Sequence, residues 1–412
     1  MKKFECVATT KENANWEKLI SREHELYSRS DEVRSPFSRD YTRILHSMAY
    51  RRLKHKTQVF YNIDNDHICT RMEHVSHVDS VSSTIASALG LNSELTKAIS
   101  IGHDLGHAPF GHQGEVIIRE LTEKYLGKNF WHEQNGVRFV DIIELIPDNQ
   151  NIYKNLDLTF AVRDGIISHC GEVDENGLFP RDISIGIEDF DAPGKFQATT
   201  WEGCVVKMSD KIAYVGRDIE DAITLGILSE ADQKELQKMA QIKDESAINT
   251  TVIMHNMIID ICENSSPEAG IKLSAEFNEQ LNRIKEFNYN HIYKSERLQP
   301  YVNFSTLVIN QIFDVLHSLY DGAHTFERLS AYHPFAPSLI STFESWLINY
   351  MDIGAIPAEL HGQLPALANE KIYGALDNET VYLQAVIDFL AGMTDRFAVK
   401  SFNELLQFGF QA

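Results

Sequence analysis

Histidine and carboxylate side chains are concentrated in one short stretch, GHDLGHAPFGHQGE, from Gly102 to Glu115. It holds three histidines, one aspartate and one glutamate within fourteen residues. Gly106, Pro109 and Gly111 interrupt any helical periodicity there. A solvated polar loop is rarely so rich in histidine and so poor in lysine and serine. The stretch therefore predicts a chemical site.

Two more distant positions complete a set of metal-ligand types. His74 lies on a helical stripe of aliphatic residues, the pair His103-Asp104 ends an apolar helix, and Asp210 lies within KMSDKIAY. Imidazole and carboxylate ligands together suit a divalent metal, and four of them leave octahedral positions for water and substrate. A lone histidine is more often structural, and an HD pair arises by chance in many chains. The density of His, Asp and Glu residues between Gly102 and Glu115 is therefore what favours a metal site. We predict one divalent ion per chain on these four residues.

Helices must position these side chains. Apolar residues recur at helical spacing from Tyr41 to about Leu53, from His74 to Leu89 and from Leu95 to His103, with Asn92 or Ser93 as a cap. Further helices are indicated over 16–27, 132–146, 159–168, 205–223, 253–261 and 307–319, whereas 60–67 and 171–195 are predicted to be loops. Strand signals are few. The predicted class is all-α, with at most small hairpins.

Charge excludes some functions and permits others. The formal net charge of −21 argues against nonspecific binding to nucleic acid or anionic membranes, which need a positive surface. The segment from Arg34 to Arg71, however, contains eight arginine and lysine residues and only three aspartates. A local basic pocket for an anionic substrate is therefore compatible with the negative net charge of the whole chain.

The five cysteines are odd in number and nowhere spaced as CxxC, so a disulfide framework is not predicted and a reducing cytoplasm fits best. The N-terminal segment has no apolar run of signal-peptide length. No segment approaches the roughly 18 consecutive apolar residues of a membrane span. We expect a cytoplasmic protein without a membrane partner.

Five segments resemble one known family. They are SPFSRDYTRILHSMAYRRLKHKTQVF, TRMEHVSHV, GHDLGHAPFGHQGE, WHEQNG and TTWEGCVVKMSDKIAYVGRDIED, which cover most of 35–221 in family order. Together they resemble the HD-domain phosphohydrolases, and more narrowly the deoxyguanosine triphosphate triphosphohydrolase branch that includes the animal SAM-and-HD-domain dNTPases. The resemblance implies an HD-domain helical fold with additional C-terminal helices. It divides the chain into an arginine-rich segment (1–60), a metal-dependent core (61–245) and a C-terminal helical region (246–412).

The resemblance also implies a reaction, the hydrolysis of a deoxynucleoside triphosphate to the deoxynucleoside and intact triphosphate. His112 and Glu115, three residues apart, match the family's catalytic dyad and can work as a proton-transfer pair. His107 and His132 match histidines that line the triphosphate, and either one can protonate the departing 5′ oxygen.

Substrate contacts carry over residue by residue. Arg71 and Lys211 match phosphate contacts, Tyr214 and Asp218 match contacts to the sugar and its 3′ hydroxyl, and Gln58 matches a sugar-contacting glutamine. Each also has an ordinary structural reading as a core residue, an ion pair or a surface charge. Many bacterial members carry an aspartate where this chain has Lys211, so base preference does not follow.

Alternatives stay open at this point. Another HD-type nucleotide phosphohydrolase could bind two metals, with His77, His107 and His112 as nominal extra ligands. A non-catalytic nucleotide sensor would bind nucleotide without turnover. By resemblance we also expect a homo-oligomer, and a second nucleotide could activate it.

Overall fold

The N-terminal part begins with short helices whose ends are set by capping residues. The computed structural model describes residues 2–24, 31–60, 65, 67–169, 176–239 and 250–407. Its first helices are α1 (Trp16–Leu19), α2 (Pro36–His46) and α3 (Met48–Arg52). The side chain of Ser47 accepts the Tyr50 N–H at 3.1 Å and starts α3. Two helices therefore replace the single one predicted up to Leu53. Helix α1 ends at Leu19, whereas the prediction ran to Tyr27, and residues 25–27 lie outside the described residues.

Six helices form the centre of the molecule. They are α4 (Arg71–Leu89), α5 (Ser93–Gly102), α6 (Gly111–Leu126), α7 (His132–Arg138), α8 (Phe160–Ser168) and α9 (Trp201–Thr224). Asn92 caps α5, since its side chain accepts the N–H groups of Glu94 and Leu95, as predicted. Helix α4 packs against both α5 and α9. The metal-ligand candidates therefore belong to neighbouring helices.

Some predicted boundaries are wrong. The helix predicted over 132–146 ends earlier, because a π-helical turn over Phe139–Ile143 follows α7 and a strand begins at Ile146. This strand, β1 (Ile146–Pro147), pairs antiparallel with β2 (Tyr153–Lys154). The described part of the predicted loop 171–195 holds one 3-10 turn. Residues 61–64, 66 and 171–175 of the two predicted loops lie outside the described residues.

The C-terminal part is also helical. It comprises α10 (Glu230–Met239), α11 (Thr250–Asn264), α12 (Ala275–Asn288), α13 (Gln299–Ser318), α14 (Thr325–Tyr332), α15 (Pro337–Tyr350), α16 (Glu379–Gly392) and α17 (Asp395–Leu406). Helices α11 and α13 cover the two periodic segments predicted there. Because the only paired strands in the described residues are two residues long each, the all-α prediction is confirmed.

Two apolar clusters form the core. One joins α2, α5, α6 and α8 to α13, α15, α16 and α17, so Ile117 and Ile118 of α6 share a cluster with Ile309 and Phe313 of α13. The other joins α4 and α9 to α11 and α12. The C-terminal helices thus bury part of the same apolar surface as the central helices. Among the described helices, none combines the length and the apolar composition that crossing a bilayer requires.

Candidate metal centre and catalytic cleft

The four predicted metal ligands converge. His74 lies in the first turn of α4, His103 and Asp104 directly follow α5, and Asp210 is in the middle of α9. His74 Nε2 is 2.9 Å from Asp210 Oδ1 and 3.9 Å from Asp104 Oδ2. His103 Nε2 is 3.4 Å from Asp104 Oδ1 and 3.8 Å from Asp210 Oδ1. Residues far apart in sequence therefore meet at one point.

The hydrogen bonding of His103 indicates that the four predicted ligands fit a metal ion. Its Nδ1 lies 2.6 Å from the Ser100 carbonyl oxygen, which can only accept, so Nδ1 carries the proton. Its Nε2 lone pair is buried without a hydrogen-bond partner, and a buried unpaired acceptor costs about 1–3 kcal/mol. A metal–nitrogen bond would remove that cost. Two imidazoles and two carboxylates suit a divalent first-row ion.

Protonation of the set follows from its geometry. Burial raises the pKa of Asp210, but the contact with His74 outweighs it and lowers the pKa to about 2. Burial likewise opposes ionisation of Asp104, yet His103, His107 and Arg71 outweigh it and hold the pKa of Asp104 well below its ordinary value. Both carboxylates are thus ionised at neutral pH. Burial lowers the pKa of His74, but its hydrogen bond to Asp210 outweighs this and raises it, so a proton competes with a metal ion for this ring.

Glu115 does not hydrogen-bond the histidine predicted as its partner. Both residues lie near the start of α6, but His112 is exposed, whereas Glu115 is buried. Glu115 contacts His132 Nδ1 at 3.1 Å and Arg119 Nη2 at 3.1 Å. Helix α7 packs on α8, and its first residue, His132, lies next to Glu115. The pairing of His112 with Glu115 therefore remains a prediction, and Glu115 has a second candidate partner.

His107 and His132 lie together, as their shared assignment to the triphosphate requires. Their rings are stacked with centroids 3.8 Å apart. His107 Nε2 is 3.0 Å from Asp104 Oδ1. These two histidines therefore line one side of the metal-ligand set.

Four of the predicted substrate contacts, Arg71, Lys211, Tyr214 and Asp218, lie on the helices that carry His74 and Asp210. Arg71 is buried, its Nη1 is 2.8 Å from Asp104 Oδ2, and its Nε has no hydrogen-bond partner. Asp210, Tyr214 and Asp218 are four residues apart on α9 and thus lie on one face, with the half-buried Lys211 beside Asp210. Their roles as substrate contacts stay predictions.

The Oε1 atom of Gln58 is buried without a hydrogen-bond partner. The chain here runs close to the start of α6, since a Cβ built on Gly111 would lie 3.0 Å from the Gln58 carbonyl oxygen. Gln58 is thus next to the turn that carries His112, where an unsatisfied amide oxygen is available to a ligand.

Sequence reasoning missed two residues of the cleft. His169 follows α8, and its Nε2 lies 3.4 Å from His132 Nε2. Tyr293 donates its hydroxyl to Asp218 Oδ2 at 2.5 Å. The local sequence around His169 resembles that around His103, a histidine that directly ends an apolar helix, and this could have identified it. Tyr293 lies far from every motif and carries no comparable signal.

The C-terminal helices hold the turn before α6. Asp395 accepts the N–H of Phe110 at 2.8 Å with Oδ1 and that of Thr57 at 2.9 Å with Oδ2. Tyr301 of α13 donates its hydroxyl to the Phe110 carbonyl at 2.8 Å. Phe110 has φ 64°, a left-handed conformation that is uncommon for a residue with a side chain. We call these three hydrogen bonds, from Asp395 and Tyr301, the Asp395 clamp. They hold a strained turn next to His112.

Comparison with known proteins gives consistent matches. Residues 71–185 match the HD domain family. The chain is 32% identical over 389 residues to a deoxyguanosinetriphosphate triphosphohydrolase-like protein of Caldanaerobacter subterraneus subsp. tengcongensis, covering 93% of this chain and 90% of that protein. A protein of the same name from Desulfatibacillum aliphaticivorans is 30% identical, covering 90% and 88%. One from Clostridium tetani is 35% identical, covering 69% and 74%.

Proposed function

We propose that this chain hydrolyses deoxynucleoside triphosphates, dGTP among them, to the deoxynucleoside and inorganic triphosphate. The premise is its family, since the chain belongs to the HD-domain family of deoxyguanosinetriphosphate triphosphohydrolase-like proteins. The coarser class, an HD-type nucleotide phosphohydrolase, follows from the family itself. The observation that best supports the finer proposal is the meeting of two histidines and two ionised carboxylates beside the buried Arg71. A metal-ligand set next to a fixed cation suits a polyphosphate.

His74, His103, Asp104 and Asp210 would hold the divalent ion, which when bound supplies Lewis-acid polarisation of a phosphate oxygen and a more acidic water. Arg71 is already oriented by Asp104 through Nη1, which leaves its buried Nε–H to donate to a phosphate oxygen. Lys211 adds a second cation on the neighbouring face of α9. Both cations would stabilise charge that develops on the phosphates.

Four residues would handle the protons of this reaction: His112, Glu115, His132 and His107. His112, exposed at the start of α6, would take or give a proton. Burial raises the pKa of Glu115, but His132 outweighs it and the net pKa is lowered. Glu115 is therefore an ionised acceptor that holds His132 by its Nδ1–H. His107, stacked on His132, is the other candidate donor to the departing 5′ oxygen.

The sugar end of the substrate belongs next to Asp218. Its Oδ2 accepts from Tyr293, whereas its buried Oδ1 has no hydrogen-bond partner and is available to a 3′ hydroxyl. Tyr214, one turn earlier on α9, would contact the deoxyribose. The buried Oε1 of Gln58 is a further acceptor for the sugar.

Product identity tests this proposal. We would incubate the purified chain with each of the four dNTPs and a divalent metal, and separate triphosphate, pyrophosphate and phosphate by ion chromatography. We expect equimolar deoxynucleoside and triphosphate. Release of pyrophosphate or single phosphate would point to another HD-type phosphohydrolase, and nucleotide binding without any product would point to a sensor.

Assembly, regulation and location belong to the same proposal. We expect a homo-oligomer, an activating effect of a second nucleotide and a cytoplasmic location, with neither nucleic acid nor membrane as partner. The acidic net charge of −21 and the scattered cysteines support these expectations. Repeating the dNTP panel with pairs of nucleotides measures the activation directly.

A further inference from the structure

The turn over 106–110, which we call the His107 turn, connects the predicted ligands His103 and Asp104 to α6. It is not helical, so its main chain has no regular set of hydrogen-bond partners. The N–H of His107 donates to the Asp104 carbonyl at 3.3 Å, a long bond. The carbonyl oxygens of Gly106 and His107 are instead bound by side chains that come from elsewhere in the chain.

Lys56, in the segment between α3 and α4, binds the second of these carbonyls. It is 2% exposed, and its Nζ donates to the carbonyl oxygen of His107 and, at 3.1 Å, to that of Ala391 near the end of α16. The main chain of Lys56 is fixed as well, because its carbonyl accepts the Arg71 N–H at 3.1 Å. Lys56 therefore joins the His107 turn to α16 and to the start of α4.

Asn135 of α7 binds the first carbonyl. Its side chain is buried, and its Nδ2 donates to the Gly106 carbonyl oxygen at 2.7 Å. Helix α7 approaches the turn closely at this point, since a Cβ built on Gly106 would lie 2.2 Å from the Gly136 nitrogen. Two consecutive carbonyls of the turn are thus held by two buried donors.

A lysine is a costly residue at the position of Lys56. Burial lowers the pKa of its ammonium to about 7, and Arg52 and Arg71 lower it too, whereas Asp395 and Glu144 raise it. An apolar side chain of similar length would fill the same space without the cost of burying a charged group. Packing alone therefore does not explain this lysine, and its two donated hydrogen bonds do.

The ring of His107 depends on its main chain for its position. Its Nε2 lies 3.0 Å from Asp104 Oδ1, and the ring is stacked on that of His132. Its Nδ1 is buried and has no hydrogen-bond partner among the described residues. With one hydrogen bond of its own, the ring would move if the main chain that carries it moved.

We propose that Lys56 and Asn135 are positioning residues, which hold the main chain of His107 so that its ring stays bonded to Asp104 and stacked on His132. The inference rests on the proposed function, in which His107 is a candidate donor to the departing 5′ oxygen. Neither residue would touch the substrate. Each would act through His107 alone.

Kinetics of donor-free variants test this role. Lys56→Met keeps the length of the side chain and Asn135→Asp keeps its shape, but each removes the donor. A proton donor acts in the transition state, so we expect kcat to fall by roughly tenfold to a hundredfold and KM to change little. In a His107→Ala background the same substitutions should lower kcat hardly further, because residues that act through one group are not additive.

Thr9→Val is the matched control. Thr9 is buried and donates its hydroxyl to Glu202 at 2.7 Å, away from the His107 turn. This variant should lower the melting temperature and leave kcat unchanged. If it lowered kcat as much as Lys56→Met does, the loss would come from general destabilisation, and the inference would be wrong.

Chemical labelling tests the position of the ring without any turnover. Diethylpyrocarbonate modifies unprotonated imidazole nitrogens, and peptide mass spectrometry gives the rate at each histidine. His107 is 8% exposed, whereas His112 is exposed and serves as an internal reference. We expect His107 to react several-fold faster in full-length Lys56→Met and Asn135→Asp than in the wild type, with His112 unchanged.

Equal labelling of His107 in all three proteins would overturn the inference, as would an equal loss of kcat in the wild-type and His107→Ala backgrounds. Should Lys56→Met not fold, Asn135→Asp removes the smaller of the two anchors and gives the same test. A wild type that turns over dNTP and matches both variants would remove this inference and leave the proposed function intact. Faster labelling in the variants of a chain that releases no triphosphate would do the reverse.

Discussion

The chemistry of single residues depends here on which ring nitrogen each histidine presents. His103 and His169 both end a helix, and each donates Nδ1–H to the carbonyl three residues before it. Their Nε2 atoms are therefore presented as lone pairs to the centre of the molecule. A helix end thus selects the tautomer that can bind a metal, before any ligand is present.

Substitution of a ligand should separate metal binding from proton transfer. We expect His103→Ala and Asp210→Ala to lose both bound metal and turnover, because each removes a ligand and leaves buried charges unpaired. His112→Ala should keep its metal and lose at least about 99% of kcat, in line with the usual effect of a general acid or base. Elemental analysis and the product assay measure the two properties separately. Wild-type turnover by His112→Ala would remove this residue from the catalytic dyad.

Asp218 should make substrate affinity depend on pH. Burial raises the pKa of Asp218 to about 7, so its carboxyl is protonated below that pH and ionised above it. Only the ionised form accepts from both Tyr293 and a 3′ hydroxyl, and we therefore expect KM to fall as pH rises from 6 to 8. In Asp218→Asn this fall should be lost, with KM at pH 8 raised by roughly tenfold, which corresponds to about 1.4 kcal/mol.

A dideoxynucleotide is the matched control for this pH effect. It lacks the 3′ hydroxyl but shares the titrating phosphates, so wild type and Asp218→Asn should give the same KM profile with it. A difference between the two enzymes that persists with the dideoxynucleotide would place the action of Asp218 elsewhere in the cleft.

At the scale of elements, the Asp395 clamp connects α17 to the turn that carries His112. Asp395→Ala leaves the buried N–H group of Phe110 and the half-buried N–H group of Thr57 without an acceptor, at a cost of about 1–3 kcal/mol for the buried group. We expect a lower melting temperature and a kcat reduced by roughly tenfold or more, with the metal content unchanged because the ligands lie on other elements.

Thr394→Ala is the control for the clamp. Thr394 caps the same helix by accepting the Phe397 N–H at 3.1 Å, so its loss should cost about 1 kcal/mol of stability and leave kcat unchanged. Should both variants lower kcat equally, the effect would come from general destabilisation of α17. Calorimetry and steady-state kinetics on the two proteins make the comparison.

Apolar periodicity and capping residues predicted most of the central helices, but they did not predict the contacts between those helices. Apolar periodicity and the Asn92 cap identified α4 and α5, and the HD pair identified the end of α5. The break at Ser47 was missed because apolar spacing continues across it. The contact of Glu115 with His132 could not be predicted, since the two residues belong to different helices, α6 and α7, and meet only in the folded chain. Close backbone approach there is possible because position 106 is glycine, where a Cβ would lie 2.0 Å from the His132 carbonyl oxygen.

At the scale of the whole molecule, the C-terminal helices share a core with the central ones. Ile117 and Ile118 of α6 are buried in the same cluster as α13 and α16 residues. A chain ending at residue 245, the predicted boundary, would expose this surface, so we expect it to be insoluble or unfolded. Circular dichroism and the soluble fraction are the measurements. A folded, metal-binding 1–245 fragment would instead support a separate core region.

The predicted metal ligands come from separate helices, and this should affect the lifetime of the protein in a cell. Because an ion held by α4, α9 and the end of α5 is a cross-link between separate segments, only the folded chain can bind it well. An ion present at one hundred times its dissociation constant would add about 2.7 kcal/mol to folding. Under metal starvation, such a protein would be degraded faster, and its abundance would fall together with its activity.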